Sequence, residues 1–233
     1  MTTTDRSVSP ERFVEGRTFA TYLDYIGTPE NLAREGNNGP RPDHSVALRR
    51  RYDRTTLTDA QSEAVRMLAA RPDGPAKILT IAEEWSSDCR RDLPYVARLA
   101  EAGGLELRIF NRDGERYATA HVADPNGSPN ADLMAKFLLT RGEQTFQAIP
   151  IVAFYTRDFD YLWHYTEYPA CYHKNRLADH RLTPREGETE AQTVERSNRE
   201  FASMIESPMY DVWAIAGVSE MLAALFERLT IGS

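Results

Sequence analysis

The chain has 233 residues and a formal net charge of −7 at pH 7, with a sequence pI near 5.3. This length fits one large domain, or one ordinary domain with added elements. The acidic balance argues against nucleic acid as the main partner and against docking on anionic membranes, because both require a basic face.

The N-terminal part of the chain predicts helices and loops. Residues 1–10 are expected to be disordered, and Phe13, Phe19, Leu23 and Ile26 recur at helical intervals, which predicts one helix over 11–26. Glycine and proline break the segment 27–44, which predicts a loop with one short helical turn.

Two further segments complete this part. Residues 45–54 are ambiguous, and their three consecutive arginines, 49–51, are expected to form a solvated face rather than an anion site. Thr58 and Gln61 have the spacing of a capping box and predict the start of a helix over 58–74. We therefore expect residues 1–75 to form an N-terminal helical extension.

From residue 76 onward, strand and helix patterns alternate. The predicted elements are a strand over 76–85, a helix over 87–102, a strand over 105–110, a connection over 113–130, a helix over 131–142, strands over 149–155 and 160–165, and helices over 189–229 with a break near Ser207 and Pro208. The order β-α-β implies a parallel strand pair, and the adjacent last two strands imply an antiparallel hairpin. Residues 76–233 are therefore expected to form an α/β domain in which helices sandwich a mixed sheet.

The cellular location of the protein is predicted from its N-terminus and its cysteines. The N-terminus lacks the apolar core of a signal peptide, and two cysteines do not make a disulfide framework, so a cytoplasmic protein is expected. The apolar run 212–226 is too short to span a bilayer and contains Glu220, which predicts a core-facing helix. This helix could also pack at a homodimer interface.

The segment 83–96, EEWSSDCRRDLPYV, places a lone cysteine where a buried strand runs into a helix. A helix N-terminus lowers the pKa of a thiol and makes it a better nucleophile. Serine is also a preferred N-cap, and Asp88 complements the helix dipole, so capping alone explains the same residues. The residues by themselves leave both interpretations open.

This segment resembles the active-site segment of the thioredoxin family, in which a Trp precedes a Cys-x-x-Cys motif and a Pro follows five residues later. Here Trp85 precedes Ser86-Ser87-Asp88-Cys89, and Pro94 follows, as in the Trp-Cys-x-Asp-Cys variant with Ser at the first position. The family also has a cis-proline at the start of a core strand, and the similar stretch QAIPIVAFY makes Pro150 the candidate. The resemblance implies a thioredoxin-like fold over about residues 76–230.

The resemblance also implies roles for these residues. Ser86 takes the attacking position and Cys89 the resolving position, while Trp85, Ile149 and Pro150 are expected to bind substrate. A serine hydroxyl is not ionised near neutral pH and cannot form a disulfide, so thiol-disulfide exchange should be impaired. The implied partners are protein or small-molecule thiols and disulfides, and no cofactor is implied.

Two alternatives to a redox protein stay open. The first is a non-catalytic thiol- or peptide-binding module of thioredoxin-like fold. The second is a glutathione-handling enzyme in which the Ser86 hydroxyl binds a thiolate. A metal site is not expected, because the four candidate ligands lack the compact spacing of zinc sites: His164, Cys171, His173 and His180.

Overall fold

A computed structural model describes residues 5–37, 39–118, 121–122 and 124–232. The helices are α1 Pro10–Val14, α2 Phe19–Tyr25, α3 Pro29–Leu32, α4 Ser45–Arg54, α5 Asp59–Ala69, α6 Ser87–Gly103, α7 Ala131–Met134, α8 Lys174–Leu182, α9 Glu190–Glu206 and α10 Pro208–Ile231. The strands are β1 Glu35–Gly36, β2 Gly39–Pro40, β3 Lys77–Ala82, β4 Glu106–Asn111, β5 Leu139–Arg141, β6 Gln144–Phe146, β7 Ile151–Tyr155 and β8 Tyr161–Thr166.

The central sheet has four strands in the order β4-β3-β7-β8. Strands β3 and β4 are parallel, and helix α6 lies between them in the chain, as expected of a β-α-β unit. Strand β7 is antiparallel to β3 and to β8. The predicted parallel pair and the predicted hairpin are thus confirmed, and the fold is a mixed α/β arrangement consistent with a thioredoxin-like one.

Helix α6 begins within the segment 83–96 and is capped at both ends. The Ser86 side chain caps its start, and Asp88 lies in the first turn beside the positive end of the helix dipole. Gly104 adopts φ +64° at the C-cap, a left-handed conformation that favours glycine. Leu93, Val96 and other apolar side chains of α6 are buried against the sheet and against α5 and α10.

The single helix predicted over 11–26 is wrong, because the chain forms α1 and α2 with an extended break between them. A Cβ at Gly16 would lie 2.6 Å from Phe110 Cε2 and 2.8 Å from Arg108 Cβ, so the backbone passes close to β4 there. Arg17 N donates to Ile109 O at 2.9 Å, and Ile109 N donates to Arg17 O at 2.7 Å. Pairing with the edge of the sheet therefore interrupts the helical pattern.

The helix predicted over 131–142 is also wrong beyond its first turn. Helix α7 ends at Met134, a 3-10 turn covers Ala135–Phe137, and strands β5 and β6 form a short hairpin. Gly142 adopts φ +63° at the turn of this hairpin, which a helix would not permit. The ambiguous segment 45–54 is helix α4, the capping box of Thr58 and Gln61 is confirmed, and the predicted break at Ser207 and Pro208 separates α9 from α10.

The N-terminal helices and the sheet share one hydrophobic core. Fully buried side chains before residue 75, including Phe13, Tyr22, Ile26 and Leu48, pack in the same cluster as the strands. The division of the chain at residue 75 stays a prediction.

Helix α10 has 24 residues, more than the predicted apolar run, and by length and composition alone could cross a membrane. Its buried face includes Val218, Met221 and Leu225, which belong to the central core. The helix packs against α5, α6 and β8. A core helix of a globular protein has the same length and composition.

Candidate functional site

A cleft of about 470 Å³ opens where α6 begins. Helix α6, the loop before β7 and the β5–β6 hairpin contribute its walls. Its lining residues include Trp85, Ser86, Asp88, Arg112, Tyr117, Arg141, Phe146, Ala148, Ile149, Glu167 and Lys174. Three of the residues selected from sequence, Trp85, Ser86 and Ile149, therefore lie in one cavity.

Ser86 is the N-cap of α6 and lies on the wall of this cleft. Its Oγ accepts a hydrogen bond from Cys89 N at 3.4 Å. The cap satisfies one of the N–H groups that a helix leaves unpaired at its start. The first motif position, which lines the cleft, thus carries a serine hydroxyl instead of a thiol.

Cys89 lies behind Ser86 and is completely buried. Burial raises the pKa of its thiol to about 12, although hydrogen bonds from the Glu83 backbone and the Ser86 side chain act in the opposite direction. A thiol with this pKa is protonated near neutral pH and is a poor nucleophile. Cys171 is exposed and, like Cys89, is a free thiol.

We expect Cys89 to be alkylated at least about a thousandfold more slowly than an unperturbed thiol, given its raised pKa and its burial. Iodoacetamide at pH 8 should therefore add one label to the native protein, at Cys171, and two labels in urea. Mass spectrometry of the labelled peptides distinguishes the sites. Rapid labelling of both cysteines in the native protein would contradict this account of Cys89.

Trp85 forms a fixed wall of the cleft. Its Nε1 donates a hydrogen bond to Asp113 Oδ2 at 3.0 Å, and its ring meets that of Tyr117 edge-on at 5.1 Å. The Arg112 guanidinium lies 5.1 Å from the Trp85 ring centroid, within the range of a cation–π contact. An aromatic surface held in this way is available to a ligand without being reordered.

Ile149 also lines the cleft. The peptide bond between Ile149 and Pro150 is cis, and β7 begins at the next residue. Pro150 O accepts a hydrogen bond from Glu167 N at 2.8 Å. Among the described residues, the backbone N–H and C=O of Ile149 have no hydrogen-bond partner.

An ion-pair network extends from the first turn of α6. Asp88 accepts from Arg91 Nη1 at 2.6 Å and from Lys174 Nζ at 2.6 Å, and Lys174 also contacts Glu167 Oε1 at 2.8 Å. Arg91 pairs with Asp92 at 2.7 Å. Burial raises the pKa of Asp92, against the opposing effect of Arg91. These bonds fix the Asp88 carboxylate, which precedes Cys89 in the sequence.

A second network of buried charges, which we call the acidic core cluster, consists of Glu83, Glu84 and Asp113. Arg41 Nη1 contacts Glu83 Oε2 at 2.5 Å and Glu84 Oε1 at 2.9 Å, and Arg34 Nη2 contacts Glu83 Oε1 at 3.0 Å. Burial raises the pKa of Glu83, and the nearby charge of Asp113 adds to this effect. Both arginines come from the N-terminal part of the chain.

This cluster was not predicted from the sequence, and Asp113 was predicted only as the start of the connection over 113–130. Asp113 does lie in a loop, but it is 1% exposed and holds Trp85. The signal was present in Glu83 and Glu84, two carboxylates that directly follow a fully buried strand. Buried carboxylates require cations or hydrogen-bond donors. Nothing in the sequence identified which arginines supply them.

The candidate zinc ligands are divided between two places. His164 lies in β8 beside Tyr161, whereas Cys171, His173 and His180 line a separate surface pocket with Arg176 and Trp213. Within the described part of the chain, no group of three or more His, Cys, Asp or Glu residues could hold a metal ion.

Comparison with known proteins supports a family assignment. A family model described as Thioredoxin matches residues 41–180, more than half of the chain. No curated protein matches the chain. Two solved structures are similar at 16% identity: a protein of unknown function from Pseudomonas aeruginosa, with a TM-score of 0.53, and an HIV epitope-scaffold, with a TM-score of 0.51. Each comparison covers 94% of this chain and 98% of the other, and at this identity it shows the fold alone. By the extent of the family match, the chain belongs to the thioredoxin family.

Proposed function

We propose that this protein is a thioredoxin-family member of the Trp-Cys-x-Asp-Cys type, with Ser at the first motif position, that binds a thiol- or disulfide-containing peptide or small molecule in its cleft. As written, the chain lacks the sulfur pair needed to exchange disulfides. Binding without turnover is therefore its expected activity.

The observation that carries this proposal is the placement of the two motif positions. Ser86 lines the cleft, whereas Cys89 is completely buried with its pKa raised to about 12 by that burial. A serine hydroxyl needs an adjacent general base to act as a nucleophile. The described contacts of the Ser86 side chain are to Cys89 and supply no such base.

The cleft itself retains the features of a binding surface. Trp85 is held by Asp113, and Ile149 presents backbone groups that are unpaired among the described residues. An extended peptide can pair with such backbone groups while its side chains enter the cleft. In the family, the residues beside the cis-proline dock the substrate backbone, and Ile149 and Pro150 occupy those positions.

A glutathione-handling enzyme is the second candidate. It is favoured by one feature, the Ser86 hydroxyl at a helix N-terminus, where a bound thiolate would be stabilised. The Ser86 hydroxyl accepts from Cys89 N and also contacts the Cys89 thiol, so donation to a bound thiolate would replace that second contact.

Calorimetric titration with a short alanine-rich peptide containing S-methylcysteine tests binding directly. We expect Ala148→Gln to weaken binding by about tenfold or more, because a longer side chain obstructs the cleft without changing the charge. Ala223→Gln, on the exposed face of α10, is the matched control and should bind as the wild type does. Insulin reduction by the wild type should stay at background.

Three outcomes would count against the proposal. They are no saturable binding of the peptide, equal weakening by both substitutions, and disulfide turnover by the wild type. Conjugation of glutathione to an electrophile by the wild type, lost in Ser86→Ala, would favour the second candidate instead.

A further inference from the structure

A second cavity, of about 510 Å³, lies between α4, the start of α6 and the junction of α9 with α10. Three arginines line it: Arg51 and Arg54 of α4, and Arg90 of α6. Arg51 and Arg54 are three residues apart and therefore lie on the same face of their helix. The acidic residues of the lining are Glu206 and Asp211, so cations are in excess.

Arg51 departs from the expected solvated arginine face. Arg49 and Arg50 are exposed as predicted, but the Arg51 side chain is only 16% exposed, and the prediction is wrong for it. Its Nη2 contacts Asp211 Oδ1 at 2.7 Å, and its guanidinium lies over the Tyr210 ring at 4.9 Å. Its Nε is buried without a hydrogen-bond partner. A buried, unpaired donor in a cavity wall indicates that an acceptor is missing.

Arg90 is held in place by one of its nitrogens. Nη1 donates to Glu84 O at 2.7 Å and Trp85 O at 2.8 Å, and it contacts His44 Nε2 at 3.2 Å. Among the described residues, Nε and Nη2 of Arg90 have no partner, and neither do Nη1 and Nη2 of Arg54. Three guanidinium groups with unpaired N–H donors therefore border one cavity. The Arg90 group is already oriented by its hydrogen bonds to backbone oxygens.

The start of α10 adds to this arrangement. Ser207 donates its hydroxyl to Met204 O at 2.7 Å, so no side chain caps α10. The positive end of a 24-residue helix dipole thus borders the cavity. Ala47, Leu48, Ile205 and Pro208 line the remainder with apolar surface.

We propose that this cavity binds a phosphate-type oxyanion, with Arg51, Arg54 and Arg90 as its ligands. Guanidinium groups match phosphate oxygens in pairs of parallel hydrogen bonds, and the helix terminus favours the same charge. The cavity is larger than a phosphate ion, and its apolar lining has room for the organic part of a phosphomonoester. This site is separate from the cleft beside Ser86.

Calorimetric titrations with inorganic phosphate and with phenyl phosphate, at constant ionic strength, test the site. We expect saturable binding to one site, weakened about tenfold or more by Arg54→Gln, which is the factor for losing one charged hydrogen bond. Arg54 is exposed and, among the described residues, bonds only to its own helix, so its replacement should leave the fold intact.

Arg50→Gln is the matched control, because it removes the same charge from the same helix outside the cavity. It should change Kd by less than about twofold, since exposed charges are screened by salt. Tighter binding of phenyl phosphate would identify an organic phosphate as the ligand class, and equal binding would identify inorganic phosphate. Absence of saturable binding of both probes, or equal weakening by Arg50→Gln and Arg54→Gln, would overturn the proposal.

Discussion

Replacing Arg41 by methionine is expected to lower the free energy of unfolding by about 3–5 kcal/mol, the cost of removing one partner from a buried ion pair. The Arg41 side chain is completely buried between Glu83 and Glu84, and its Nε also donates to Glu35 O at 3.1 Å. Methionine fills part of the volume but leaves two buried carboxylates without this cation. Equilibrium unfolding in urea measures the loss.

Arg49→Met provides the matched control for this experiment. Arg49 pairs with Asp24 at 2.5 Å, as close as Arg41 to Glu83, but the two side chains are 44% and 74% exposed. Exposed ion pairs contribute only about 0–1 kcal/mol. Similar losses for the two substitutions would show that the acidic core cluster is not the source of the effect.

The effect of Arg41→Met should also depend on pH. Burial and the charge of Asp113 raise the pKa of Glu83, while Arg41 opposes them, so removing Arg41 raises this pKa further. A carboxyl whose folded-state pKa is raised contributes stability below its unfolded pKa and loses it as the pH rises. The difference between wild type and variant should therefore be larger at pH 7 than near pH 4.5.

The central sheet was predictable because its strands are short apolar runs with clear boundaries. The two helix errors both arose where pairing with another strand overrode an apolar period of 3.6 residues. At Gly16 the chain passes close to Phe110 of β4, and at Gly142 it turns into a hairpin. Such contacts depend on residues distant in the sequence, so local periodicity could not indicate them.

The cleft was partly predictable from the family resemblance. Trp85, Ser86 and Ile149 stand at motif positions, and they meet in one cavity because the start of the antiparallel strand β7 lies beside the end of β3. The ion pairs of the acidic core cluster were not predictable, because Arg34 and Arg41 lie more than 40 residues before the carboxylates they contact. The family resemblance describes the motif and gives no information on this N-terminal contribution.

Replacing Ser86 by cysteine is expected to raise insulin disulfide reduction by at least about tenfold above the wild-type background, because a thiolate replaces a hydroxyl as the nucleophile. The new thiol would lie at the N-cap of α6 and on the wall of the cleft, where the helix dipole lowers its pKa. Cys89, three residues later, would then have a mixed disulfide to resolve. Its burial and high pKa suit this second role better than the first.

Ser87→Cys is the matched control, because it adds the same atom one residue later, outside the cleft lining. Ser87→Cys should not increase insulin reduction. A thiol at position 87 lies outside the cleft and cannot attack a bound disulfide to form the mixed disulfide that Cys89 would resolve. The double variant Ser86→Cys, Cys89→Ser should form a stable mixed disulfide with the peptide and reduce nothing catalytically. Equal activity of the two cysteine variants would mean that the gain comes from any added thiol rather than from this site. No gain in Ser86→Cys would mean that the scaffold binds without supporting exchange, so that the serine is not the only obstacle to the chemistry.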